Sequence, residues 1–399
     1  MKTSDDFPVA TGLEHSFADI RRQYIDLTDE EMDRGRRIRD AVIEAVCLLD
    51  SRFPGFPHLI EGEAFLAGSF GRRTQAQPLD DVDIFFPIEG SELRMLAPGL
   101  QPTPERLDAG QSLAPTLGSQ ESLFTSERWL DSRLVLSCFG QGLFNTVLDV
   151  EDAGIKARCG FVVIDGVNVD VVPVLVSDSP SGKRFHLPGG LETPHWRATN
   201  PKKDQLRLTT ENTTRHFGKL LPTVRAMKAW NDHACRGRLK SVHLEMLLTE
   251  SVFSGVQIDS VISGVLFALA HLPEHLSHRC ADPTGLGDEL DVNLNDEDRK
   301  WVIERAQLDT QSALAANKLA RTDLDRGCAD LAEVILKSGA KAPQRDRPSR
   351  APRHDVDFGQ PASTRAGVVG VAPSSAVPAA VKSDLQRAPD QSRRRPEYA

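Results

Sequence analysis

The 399-residue sequence predicts an α+β chain: a mixed sheet flanked by helices, then a helical domain, then a disordered tail. Three observations carry this. Short apolar strands broken by turn signals run to about residue 187. Apolar residues at helical spacing take over from there to about Lys337. Beyond about Gly339, Pro, Ala, Ser and Arg dominate and large apolar residues almost vanish, so no core can offset the ordering entropy. The boundaries fall at residues 1–195, 196–338 and 339–399.

Composition narrows the function classes. The net charge is −9, and the stretch from Lys341 onward carries 11 basic and 6 acidic residues, which leaves the rest near −14. Extensive docking on nucleic acid needs many Lys/Arg–phosphate contacts, so an acidic body argues against it but not against small nucleotides. The six cysteines form no Cys-x-x-Cys pair. Scattered thiols, no apolar leader after Met1 and no apolar run long enough for a bilayer predict a soluble cytoplasmic protein.

The first helix with a readable start is signalled by Thr28-Asp-Glu-Glu31, a capping box. Ile38, Val42, Val46 and Leu49 give it one apolar face, and Pro54 and Pro57 end it. It is expected to pack behind a sheet. A strand at Ala64–Ala67 then runs into Gly68-Ser69, and a second strand carries Asp81-Val-Asp83. Alternate strand residues share a face, so Asp81 and Asp83 project together while Val82 and Ile84 turn to a core. Two like charges side by side are tolerable with a divalent cation, which Mg²⁺ sites meet through carboxylates and substrate phosphates. Gly68 permits close approach of a phosphate, and Ser69 opens a short helix whose N–H groups attract anions. Gly-Ser pairs and Asp-x-Asp triplets are each common by chance; the signal is their order and strand context. Asp80 falls on the opposite face.

Residues 89–126 are rich in loop formers, and Ser126 is expected to cap a helix containing Trp129, Leu130 and Leu134. Ile155–Ile164 and Val167–Val176 read as a hairpin about Asp165-Gly166. Asp170 is the one charged residue in the second strand. It is either an edge-strand residue facing solvent, a reading that Pro173 fits, or a third carboxylate of the site. After a strand at Lys183–Leu187, helices are expected at Leu206–Leu221, Thr223–Cys235, from Ser241 as N-cap, at Val261–Leu272, Asp296–Ala316 and Thr322–Lys337. His271, His275, His278 and Cys280 fit no standard zinc spacing.

Gly68-Ser69 with Asp81-x-Asp83 resembles the polymerase-β-like nucleotidyltransferase superfamily. Val169-Asp170-Val-Val-Pro173, Trp196…Thr199-Asn-Pro201, Met227-Lys-Ala-Trp-Asn231 and Lys240-Ser-Val-His-Leu-Glu245 narrow this. Over residues 15–338 the chain is similar to the bacterial cGAS/DncV-like nucleotidyltransferases (CD-NTases), the cyclic-oligonucleotide synthases of anti-phage CBASS systems. The resemblance implies that Asp81, Asp83 and Asp170 hold two Mg²⁺ (or Mn²⁺) ions. It implies that Gly68, Ser69, Lys228 and Ser241 meet the triphosphate of an NTP, ATP among the substrates. The bland readings of Lys228 and Ser241 are a solvated helix-face Lys and a cap; Arg72 meets phosphate or is simply exposed; Trp230, His243 and Leu244 read as packing residues.

Two further readings remain: an acceptor-dependent enzyme (CCA-adding, poly(A)-type or oligoadenylate synthase-like), and a nucleotide-binding module with a lost activity. The resemblance also implies a downstream effector switched on by the cyclic nucleotide. The slim tail ending in Ala399 is either a handle for a ubiquitin-like transfer enzyme, of the kind that many CBASS synthases have, or a linker remnant with no role.

Overall fold

β1 (Lys2–Thr3), α1 (Leu13–Tyr24) and α2 (Asp29–Arg52) open the fold. The capping box forms as read: Thr28 Oγ1 accepts from the Glu31 N–H while a Glu31 carboxylate oxygen accepts from the Thr28 N–H. Next come β2 (Phe65–Leu66), α3 (Gly68–Gly71), β3 (Asp81–Glu89), β4 (Arg94–Met95), β5 (Leu107–Asp108) and α4 (Ser132–Phe144). Then follow β6 (Asp152–Lys156), β7 (Cys159–Ile164), β8 (Val167–Ser179), β9 (Gly182–Pro188) and β10 (Trp196–Thr199). The computed structural model describes residues 7–53, 55–89, 123, 130–146, 148–179, 182–282 and 289–337, with the short strands at 2–3, 94–95 and 107–108. The readings of Ser126, Trp129 and the tail from Gly339 lie outside the described residues.

The main sheet runs β10-β9-β8-β3-β2, with β7 also on β8 and β6 on β7. Among the described strands of this sheet only β3 and β8 pair in parallel, which makes the sheet mixed. Ile38, Val42, Val46 and Leu49 of α2 pack with Val82, Ile84, Phe86, Val169 and Val171, so α2 does lie behind the sheet. On the other face Phe85, Val172, Val174 and Phe185 form a smaller cluster. The aspartates share that face, towards the N-terminal end of β3 and β8.

Several expectations need correction. Ile155–Ile164 is two strands, because the backbone reverses at Ala157, held at a φ of 45°. The turn at Asp165-Gly166 forms as read, both residues having positive φ. Of the two readings of Asp170, the edge-strand alternative does not hold, because β8 is paired on both sides. β7 pairs its Val167–Val171 half and β9 its half from Leu175, so Pro173 falls between the two partners, where its missing N–H costs no bond to either. The helix after the loop-rich stretch starts at Ser132, capped by Asp131, whose carboxylate accepts from the Arg133 N–H.

The helices expected at Leu206–Leu221 and Thr223–Cys235 form with shifted bounds, as α5 (Pro201–Thr214) and α6 (Leu220–His233). Phe217 and Gly218 both take positive φ and separate them, so the first ends and the second begins earlier than expected. Asn200 caps α5 on Lys203, with Pro201 in the first turn. α7 (Ser241–Met246) runs into a π-helical turn at Leu247–Val252. Its cap position is Lys240, so Ser241 is the first helical residue and not the cap. β11 (Val256–Gln257), α8 (Val261–Leu276), α9 (Asp296–Leu319) and α10 (Leu324–Leu336) complete the helical half. Trp230 and Leu244 are fully enclosed in its core and His243 is buried, as the packing reading holds. Among the described residues no helix is long and apolar enough to cross a membrane.

Candidate active site

The parallel register of β3 and β8 sets Asp83 beside Asp170 and Asp81 beside Asn168. Two strands thus bring three carboxylates to one half-buried patch. Asn168 Nδ2 donates to Asp81 Oδ1 at 2.7 Å and to Asp170 Oδ1 at 2.9 Å. Lys156, at the end of β6, places its Nζ 2.6 Å from Asp170 Oδ1. Sequence reasoning missed both. Asn168 was findable, because it stands two residues before Asp170 and shares its face. Lys156 was not, since only the unforeseen β6–β7 turn carries it back.

Burial raises the pKa of Asp81, and the charge of Asp170 adds to it. Burial, then the charges of Asp81 and Asp170, push Asp83 up to about 7. A cation relieves both causes. As placed, no three Asp, Glu, His or Cys groups among the described residues already converge as a metal cage. Asp170 is engaged with Lys156 and Asn168 instead. The donor set, three carboxylates with mutual repulsion on one sheet face, still fits hard divalent cations. His271, His275, His278 and Cys280 form no such group either.

Gly68 follows β2 and starts α3 at a φ of 58°, a backbone region where a side chain is strained. A Cβ added there would come within 1.6 Å of Asp83 Oδ2. What approaches Gly68 closely here is the Asp83 carboxylate. Ser69, the next residue of α3, is half-buried, and its carbonyl accepts from the Thr74 N–H at 2.9 Å.

Lys228 is neither solvated nor on an exposed helix face: it is 4% exposed. Its Nζ lies 2.9 Å from Glu245 Oε2 and donates to Thr74 Oγ1 at 3.1 Å. Glu245 is fully buried, and Arg72 Nε and Thr74 Oγ1 also donate to its carboxylate. Arg72 is largely buried too, with 15% of its side chain exposed. Burial would raise the Glu245 pKa; Lys228 and Arg72 overcome it and hold the carboxyl down at about 2. Ser241 is half-buried at the start of α7, one helical turn from Glu245.

No family model matches the chain. It is 25% identical over 274 residues to a protein of Bacillus cereus (strain VD146) described as a probable cyclic nucleotide synthase, covering 67% of this chain and 80% of that protein. The fold is similar to the structure of E. coli MS115-1 CdnC with ATP, with a TM-score of 0.55 and 16% identity over 81% of this chain and 97% of that one. It is similar also to the CdnC:HORMA-deltaN complex, with a TM-score of 0.53 and 15% identity over 84% of this chain and 98% of that one. The chain has the fold of CdnC, and the resemblance to the CD-NTases read from its motifs is borne out.

Proposed function

We propose that the protein is a metal-dependent nucleotidyltransferase that joins NTPs into a cyclic di- or oligonucleotide, as a second messenger of anti-phage defence. The observation that carries this is the register of Asp81, Asp83 and Asp170 on β3 and β8 beside the Gly68-Ser69 turn. The relative described as a cyclic nucleotide synthase and the CdnC fold support the product class.

Two divalent cations held by Asp81, Asp83 and Asp170 would lower the pKa of an attacking ribose hydroxyl and stabilise the departing pyrophosphate. The chain's own residues do the rest. Asn168 orients Asp81 and Asp170 from between them. Lys156 neutralises Asp170 until a cation replaces it. Gly68 leaves Asp83 the room it occupies. Ser69 and Ser241 offer hydroxyls to the triphosphate, and Lys228 lends positive charge from beneath.

ATP among the substrates and a regulatory protein partner are supported by the ATP and HORMA complexes of CdnC. An effector that binds the product, and conjugation at Ala399, follow from the CBASS reading. Pyrophosphate release from NTPs alone tests the function. It should require Mg²⁺ or Mn²⁺ and no nucleic-acid acceptor; release only with an RNA acceptor would favour the acceptor-dependent reading, and none at all the inactive module.

A further inference from the structure

The twelve residues from Gly68 to Leu79 lead from the turn of the site to β3, and the helical half grips them from three helices. Gln205 of α5 donates to the Gly71 carbonyl at 2.8 Å. Arg225 of α6 donates to the Arg73 carbonyl at 2.8 Å. Glu245 of α7 takes Arg72 and Thr74 side by side, and Lys228 of α6 closes the group against both Glu245 and Thr74. Glu245 is the hub: a fully buried carboxylate with three donors, two from the catalytic half and one from α6. A buried charge costs heavily unless paired and hydrogen-bonded, so this one fixes its partners tightly. The positive charge of Arg72 also reaches Asp83, where it counters the rise caused by burial and the neighbouring aspartates.

We infer that Glu245 is a positioning residue for the nucleotide: acting through Arg72 and Lys228, it sets two cations and the Gly68–Thr74 segment against the place where the triphosphate binds. This rests on the function proposed above. Arg72 is the outer cation, spanning from Glu245 towards Asp83. Lys228 is the inner one, enclosed, and balances the Glu245 charge. Pre-set cations bind phosphate without first losing rotamer freedom, so the gain falls on nucleotide affinity. A purely structural clamp would change stability alone and leave both affinity and its pH dependence unmoved.

The test uses the full chain and the variants Glu245→Gln and Thr74→Val. The latter keeps every charge and removes one hydroxyl, so it serves if the first fails to fold. Melting temperature is read first. Binding of a non-hydrolysable ATP analogue with Mg²⁺ is then read by fluorescence, beside kcat and KM for NTP. In folded Glu245→Gln the analogue's Kd and the KM should rise roughly tenfold or more, a factor of ten being about 1.4 kcal/mol, while kcat falls less. Affinity should also weaken with rising pH in this variant, since Lys228 is buried and has lost its counter-charge. Thr74→Val should give the same split at smaller size. Unchanged Kd and KM in whichever variants fold, with only a lower melting temperature, would overturn the inference. A wild-type chain that neither binds the analogue nor turns over NTP would overturn the functional reading instead.

Discussion

Asp83 Oδ2 lies where a side chain on Gly68 would have to be: a Cβ there would meet it at 1.6 Å. The turn that ends β2 and the carboxylate of β3 are thus one unit. Gly68→Ala should displace Asp83 and force a positive φ on alanine, at a cost of about 1–2 kcal/mol. Pyrophosphate release should fall by orders of magnitude while the variant stays folded at 25 °C. Near wild-type kcat/KM would show that Asp83 has room to move.

Asp83 has its pKa raised to about 7, first by burial and then by Asp81 and Asp170. The sign follows from proton counting. Between the unfolded carboxyl pKa of about 3.9 and the folded value, the native state binds the extra proton, so this group's contribution falls as pH rises through that window. In the metal-free protein, Asp83→Asn should therefore raise the melting temperature at pH 8 and change it little at pH 4. Comparing the variant with wild type at each pH cancels the other titrating groups, among them His216, which burial holds near 4. An equal effect at both pH values would mean that Asp83 is not strained by its neighbours.

Lys156 sits 2.6 Å from Asp170, one of the three carboxylates proposed to hold the cations. Lys156→Met removes that competitor. Mn²⁺ binding without nucleotide, followed by its paramagnetic signal, should tighten by roughly tenfold, the effect of about 1.4 kcal/mol. Weaker binding would show that Lys156 supports the site and does not block it.

Ser241 begins α7 without capping it, so its hydroxyl is not committed to the helix N-terminus. Ser241→Ala should raise KM for NTP by the worth of one hydrogen bond to a charged group, about 1.5–3 kcal/mol, with melting temperature unchanged. An unchanged KM would leave Ser241 without a role in binding.

Much of this was legible because local rules carried it. The α2 capping box, the Asp165-Gly166 turn and the same-face pairing of Asp81 with Asp83 are all short-range. Pro173 kept an edge-strand alternative open, because a break between two partner strands looks the same in sequence as a sheet edge. Ala157 hid a turn because alanine carries no turn signal. Lys228 and Glu245 sit 17 residues apart and meet Arg72 and Thr74 from the other half, so no periodicity announces their network.

The product decides the central claim. The purified chain should be incubated with all four NTPs and Mg²⁺, without any acceptor, and the products read by mass spectrometry. The account predicts a cyclic di- or oligonucleotide, with mass equal to joined nucleotide monophosphates less one water per linkage, and its absence from the Asp81→Asn, Asp83→Asn and Asp170→Asn variants. Linear or RNA-tailed products alone, or cyclic product undiminished in those variants, would contradict it.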